Sequence, residues 1–252
     1  MTDIPRETQV LDAVVTLVDS LLDDFDVVDL LTDLTVRCAA LLDVAAAGLL
    51  LADPLKQLRL LAATSEQARA LDLFQLQADE GPCVDCYSTD QPVSVADLRT
   101  AVRRWPQFVP AALDNGFVSV HAVPMRAAGS VLGALGLFGV RTGELSESDL
   151  LVAQTLAHIA CVAILQEHPH TPATVLPPLR SALANRVVVE QAKGFLRESL
   201  NVSVEDAFRL MRASAHAKGQ HLTDVARRLM TDRLARPTLV AGLAELARSS
   251  PP

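Results

Sequence analysis

The spacing of apolar positions changes several times along the 252-residue chain. Val10, Leu11, Val14, Leu17, Val18, Leu21 and Leu22 recur every three or four residues, the stripe of an amphipathic helix. A second helical stretch follows over 27–42. The period then shortens, and 45–51 and 58–63 read as strands around the turn Asp53-Pro54-Leu55-Lys56. Residues 66–76 are helical again, and Gly81-Pro82 breaks the chain with Pro82 placed to open a short helix. Further strands are expected over 93–95, 117–123 and 131–140, the last two joined through 125–130. Ser146 caps a closing helix to Gln166, with Asp149 three residues on. Helix, hairpin, mixed middle, hairpin, helix describes an α+β domain, an antiparallel sheet with flanking helices.

The segment 168–178 holds four prolines and reads as a semi-extended linker. No strand pattern follows it. Residues 179–200, 203–218 and 222–234 read as three helices, Ser203 capping the second, with Asn201 and Gly219 at the breaks where left-handed residues are wanted. Val188, Ala192, Phe195 and Leu196 form the apolar stripe of the first, with Arg186, Glu190, Lys193 and Arg197 on its polar side. The second turns Ala207, Phe208, Met211 and Ala215 inward and Arg209, Arg212 and His216 outward. The third exposes Arg227 and Arg228. The expected plan is a sensor-sized domain over 1–167, a linker over 168–178, an all-α three-helix bundle over 179–236 and a short tail over 237–252 with a weak helix at 239–247.

Charge sharpens this division. From Pro177 onward there are 12 basic and 7 acidic residues, leaving 10 basic and 23 acidic before it. Only the rear half is suited to a polyanion. Four scattered cysteines, no signal-peptide pattern and no apolar run of about 18 residues point to a cytoplasmic protein with no membrane partner. No P-loop, dinucleotide fingerprint or partnered Ser/His pattern is present, so no catalytic residue is assigned and an enzyme is not expected.

Cys83-x-x-Cys86 is the one chemically suggestive pair in the front half. It is half of a zinc site without a second half, so no metal is assigned. It is a candidate redox switch, because the helix start after Gly81-Pro82 lowers a thiol pKa. Bilin attachment wants more support than His121 offers, and both cysteines also suit plain core packing. Trp105 reads as a core plug. No cofactor is required, and a small-molecule ligand in the front domain stays open.

Arg186-Val-Val-Val-Glu-Gln-Ala-Lys-Gly194, Glu205-Asp-Ala-Phe208, Leu210-Met-Arg212 and Leu222-Thr-Asp-Val-Ala226 resemble the ANTAR family. Glu80-Gly-Pro-Cys-Val-Asp-Cys-Tyr87, Arg104-Trp-Pro-Gln-Phe108 and Gly133-Ala-Leu-Gly-Leu-Phe138 resemble GAF domains fused to ANTAR modules. The resemblance implies a GAF-like sensor ahead of an RNA-binding antitermination domain that recognises tandem stem-loops as a homodimer. It also implies RNA contacts at Arg186, Lys193 and Arg212, with Ala192 and Gly194 allowing close approach. Arg197 lies on the same polar side, and His216 stands where the family has arginine. The rival is a sensor with a helical DNA-binding or protein-interaction tail. DNA is disfavoured because residues 230–236 run into Pro237, leaving no room for a recognition helix.

Overall fold

The computed structural model describes residues 5–22, 25–166 and 176–249, and the chain divides into two compact units, 1–180 and 181–252. Most of the expected linker, 168–175, lies outside the described residues.

In the first unit α1 (Arg6–Leu22) and α2 (Val27–Leu41) precede the hairpin β1 (Ala46–Ala52) and β2 (Leu58–Ala63). Then come α3 (Glu66–Ala78), α4 (Pro82–Thr89), β3 (Val93–Val95), a 3-10 turn (Leu98–Ala101) and α5 (Phe108–Asp114). The hairpin β4 (Ser119–Ala127) and β5 (Ser130–Gly139) leads to α6 (Glu147–Gln166). The strands form one antiparallel sheet in the order β2-β1-β5-β4-β3.

β1 is buried at every position, which requires cover on both faces of the sheet. Ala46, Leu50, Ala134 and Phe138 join α3, α4 and α5 in one core with Leu71, Cys83, Trp105 and Phe108. The alternate residues, Leu49, Leu51, Leu135 and Leu137, are equally buried, and α2 and α6 lie against the strands. By length and composition α6 is apolar enough to cross a membrane. Here it lies across β4 and against α2. Ser146 caps it as expected: Ser146 Oγ accepts from Asp149 N at 3.1 Å, and Asp149 Oδ2 accepts from Ser146 N at 3.0 Å.

The second unit is built on α7 (Leu176–Leu200), α8 (Val204–Ala217), α9 (Leu222–Thr231) and α10 (Arg236–Ser249). α7 opens three residues earlier than the sequence suggested and takes Pro177 and Pro178 into its first turn, where a missing N–H costs nothing. Ser203 Oγ accepts from Asp206 N at 2.9 Å, and Asn201 and Gly219 are left-handed (φ 51° and 57°), as expected.

The third helix is shorter than expected and the tail is a fourth helix of the fold. Asp232 ends α9, and its Oδ1 accepts from Leu234 N and Ala235 N at 3.1 and 2.9 Å, turning the chain into α10. Pro237 sits at the second residue of α10, where it starts a helix rather than stopping one. The lack of room for a helix after α9, used above against DNA binding, therefore falls away. Arg236 donates to the carbonyls of Leu229 and Met230 (2.6 and 2.7 Å) and lies 5.4 Å over the Phe195 ring, so it closes the exposed end of α9. Leu239 and Leu243 are buried where α10 packs on α8 and α9.

Leu243→Ala therefore destabilises the helical unit by about 2–5 kcal/mol, the cost of a core Leu→Ala cavity. A lowered thermal midpoint by circular dichroism is the expected result. An unchanged midpoint would show that α10 is an appendage.

Candidate functional site

Two places carry the residues singled out by sequence: the α7–α8 surface and the core beneath α3 and α4. Among the described side chains of α7 the buried positions are Ala182, Arg186, Val189, Ala192, Lys193 and Leu196. The helix is rotated from the assignment above, so two expected outward cations lie on its inner side. Arg186 and Lys193 are each 8% exposed. Both pair with Glu190, Arg186 Nη2 to Glu190 Oε1 at 2.7 Å and Lys193 Nζ to the same oxygen at 3.0 Å. Lys193 Nζ also lies 5.6 Å over the Phe208 ring of α8. Buried cations survive only with such partners. The pattern rule places charge outside by default, and this triad is the exception it cannot see.

The other expected contacts are accessible. Arg197 is exposed, 3.9 Å from Glu198, Arg212 is half-buried, and His216 is exposed. Gly194 lies within α7 with ordinary backbone geometry, and an added Cβ would meet nothing within 4 Å. Helix propensity disfavours glycine there by about 0.5–1 kcal/mol relative to alanine, and packing within the chain does not require it.

In the first unit the two family-like segments clasp each other. Glu80 Oε1 accepts from Gln107 N and Phe108 N (2.5 and 2.6 Å), capping α5 from outside. Asp85 Oδ2 accepts from Trp105 Nε1 at 3.1 Å and from Arg104 Nε at 2.8 Å. Arg104 stacks over the Trp105 ring at 4.5 Å. Trp105 is buried edge-on to Phe108 and is a core plug, as the sequence suggested. Glu80 and Asp85 thus hold loops together.

Beneath this clasp is a polar cluster that no sequence pattern marks. Asp72 is fully buried on α3. Its Oδ1 accepts from Gln75 Nε2 at 2.7 Å, and its Oδ2 has no hydrogen-bond partner. Gln75 Oε1 accepts from Cys83 N at 3.1 Å. Gly48 and Gly136 are direct cross-strand partners, and a Cβ on either would strike Asp72 Oδ2 (1.9 Å) or Cys83 Sγ (2.8 Å). Burial pushes the Asp72 carboxyl up to about 8.

Burial also reverses the expected thiol chemistry. Cys83 is pushed well above its ordinary range, chiefly by burial and then by Asp72, and Cys86 is pushed up to about 12 by burial. The helix start does not outweigh desolvation, so the thiolate that a redox switch uses is suppressed. Cys38 and Cys161 are buried too. His121 is buried with Nδ1 2.6 Å from Ser94 Oγ, and burial lowers its pKa. A cavity of about 690 Å³ opens beside Arg6, Asp43, Ser119, His121, Arg141 and Asp149. Among its charged walls Arg6 pairs with Asp149 and Arg141 with Asp43, and Glu144 also lines it. Among the described residues no group of three or more His, Cys, Asp or Glu is placed to hold a metal.

A family model described as GAF domain matches residues 26–165, and one described as ANTAR domain matches residues 178–230. No curated protein matches. Among solved structures, the GAF domain of an Acinetobacter phosphoenolpyruvate-protein phosphotransferase is similar at 18% identity and TM-score 0.50, covering 65% of this chain and 94% of that one. A free methionine-R-sulfoxide reductase from Neisseria meningitidis is similar at 16% identity and TM-score 0.49, covering 72% and 96%. The phycoerythrobilin-bound GAF domain of a cyanobacterial phytochrome is similar at 16% and 0.49, covering 66% and 98%. At 18% identity the phosphotransferase likeness speaks to fold alone, and α10 lies beyond the matched ANTAR segment.

With all four thiols buried, a disulfide-exchange reagent at about pH 6 labels none of them in the native protein and all four after denaturation. Rapid native labelling of Cys83 or Cys86 would restore the redox reading.

Proposed function

The chain belongs to the GAF domain family and carries an ANTAR domain behind it, and from that premise we propose a signal-responsive RNA-binding antitermination regulator that holds paired hairpins of a nascent transcript. The observation that carries the interface is Gly194: an exposed glycine inside a helix, disfavoured by propensity and not needed for internal packing. Such a position suits the close approach of an outside backbone. Arg197 lies one turn further along α7, and Arg212 and His216 are spaced one turn apart on α8. Arginine supplies phosphate contacts and a plane on which an unstacked loop base can lie. Arg186 and Lys193, paired with Glu190, support that surface from behind. DNA ranks below RNA because of the ANTAR match rather than helix geometry. The reading needs no catalytic residue and no resident cofactor. A small polar ligand in the cavity beside Arg6 and Asp149 is the candidate signal.

Dimerisation belongs to the same reading. α1 buries Ala13 and Leu17 but leaves Leu11, Val15, Val18 and Leu22 exposed at spacings of four, three and four residues. That is the seam of a helix pairing with another helix. α6 exposes Leu151 and Val162. A two-fold axis through these helices would present two RNA-binding modules.

The test is binding of the full chain to a tandem-hairpin RNA, with duplex DNA of matched sequence as control and a salt titration for both. Gly194→Ala separates fold from function: the helix gains up to about 1 kcal/mol while RNA affinity falls. Arg212→Ala weakens binding across sequences and reduces the salt slope by about one. Equal binding of RNA and DNA, or a Gly194→Ala protein with unchanged affinity, would overturn the interface.

Val15→Glu converts a dimer to a monomer in light scattering at micromolar concentration. A monomeric wild-type chain would remove the dimer from the reading.

A further inference from the structure

α4 has no cap of its own. Gly81 has no side chain, Pro82 has no N–H, and the first N–H of the helix, that of Cys83, is taken by Gln75 Oε1 from α3. Gln75 is held for this task by Asp72, whose Oδ1 accepts from the other end of the same amide. Asp72 itself rests on the bare backbone of Gly48, beside the partner glycine Gly136 that receives Cys83 Sγ. The carboxyl therefore joins α3, α4 and the centre of the sheet.

Its other oxygen decides its protonation. Oδ2 is buried and meets no donor, so a charge on this carboxyl would be held by the Gln75 amide alone. With Oδ1 accepting, the proton resides on Oδ2.

We propose that Asp72 is a proton-linked latch, which in its uncharged form seats α3 on the glycine pair and caps α4 through Gln75, and which on losing its proton to water frees the start of α4. The segment released is 81–86, whose Asp85 also holds Trp105 and Arg104.

Among the described residues no other charged group compensates. β1 contributes no titratable side chain, and Arg59 of β2 pairs with Asp53. On α3 itself Glu66 pairs with Arg69 at 3.8 Å, and Asp79 is exposed at its end. On α5 Asp114 is exposed. On α4 Asp85 pairs with Arg104, Tyr87 is half-buried, and Cys83 and Cys86 keep their protons far into the alkaline range. The sign follows from proton counting. Between the ordinary carboxyl range near 4 and the value of about 8 in the closed state, only the closed state holds the proton. Raising pH through that window favours the open state, and the effect levels off above it.

The test is amide hydrogen exchange of the full chain, read at Cys83 under conditions where exchange follows the opening equilibrium. In wild type the Cys83 rate rises about a hundredfold per pH unit between about pH 5 and 8, roughly tenfold from hydroxide catalysis and tenfold from the linked proton. In Asp72→Asn it rises only about tenfold per unit. Cys83 also exchanges faster than Leu135 in the central strand, which marks a local opening. Equal slopes in the two proteins, or Cys83 exchanging no faster than Leu135, would overturn the latch. Should Asp72→Asn not fold, the side-chain carboxyl carbon signal of Asp72 in the wild-type protein decides: a midpoint near pH 8 supports the latch, and one near 4 refutes it.

Discussion

Two glycines facing each other across the middle of the sheet set the terms for the first unit. Gly48 and Gly136 are register partners on β1 and β5, and both point at the face covered by α3 and α4. Side chains there would push both helices outward, because Asp72 Oδ2 and Cys83 Sγ already occupy the space a Cβ needs. Close packing in a protein interior leaves no slack to absorb such a shift. The close seating of α3 and α4 brings Gln75 to the start of α4. With α4 fixed, Asp85 meets Trp105, and Glu80 meets the first amides of α5. The clasp across the core is thus a consequence of two missing methyl groups.

What could be read from the sequence follows from the range of the forces involved. Caps act over three residues, and Ser146 and Ser203 stand where the sequence places them. The strands 58–63 and 93–95 are found at their expected limits. α5 carries no local signal, because its cap comes from Glu80, twenty-seven residues before Gln107, and Pro110 lies in its first turn. In sequence α10 reads as a short tail because Pro237 reads as a stop. The functional residues divide in the same way. Arg197 and His216 are exposed as a charged residue on a helix surface should be. Arg186 and Lys193 are not, because Glu190 lies one turn from each and lets both turn inward. A one-dimensional stripe holds no information about that choice.

Burial separates the groups that can do chemistry from those that hold the fold. Cys83 and Cys86 have the spacing of a redox pair but lie in an apolar core, where desolvation favours the neutral thiol over any help from the helix start. Arg186 and Lys193 have the charge of phosphate ligands, but both are buried and turned toward Glu190. Exposure therefore moves the weight of the proposed interface to Gly194, Arg197, Arg212 and His216, with the buried triad as its support.

Asp72 is hard to explain as packing. An apolar side chain of its size would fill the space over Gly48 without burying an unsatisfied oxygen, and a surface position would let the carboxyl ionise freely. Buried polar groups in native cores are satisfied, and an exception at the centre of the sheet needs a reason. Gln75 needs a partner for its amide nitrogen if its oxygen is to cap α4, and Asp72 Oδ1 is that partner. A carbonyl or hydroxyl oxygen could serve equally well. What a carboxyl adds is a second state: neutral, it fits the apolar floor of the sheet, and charged, it does not. A link between two helices that holds in one protonation state and fails in the other is a bistable contact, placed at the centre of a domain whose family senses signals.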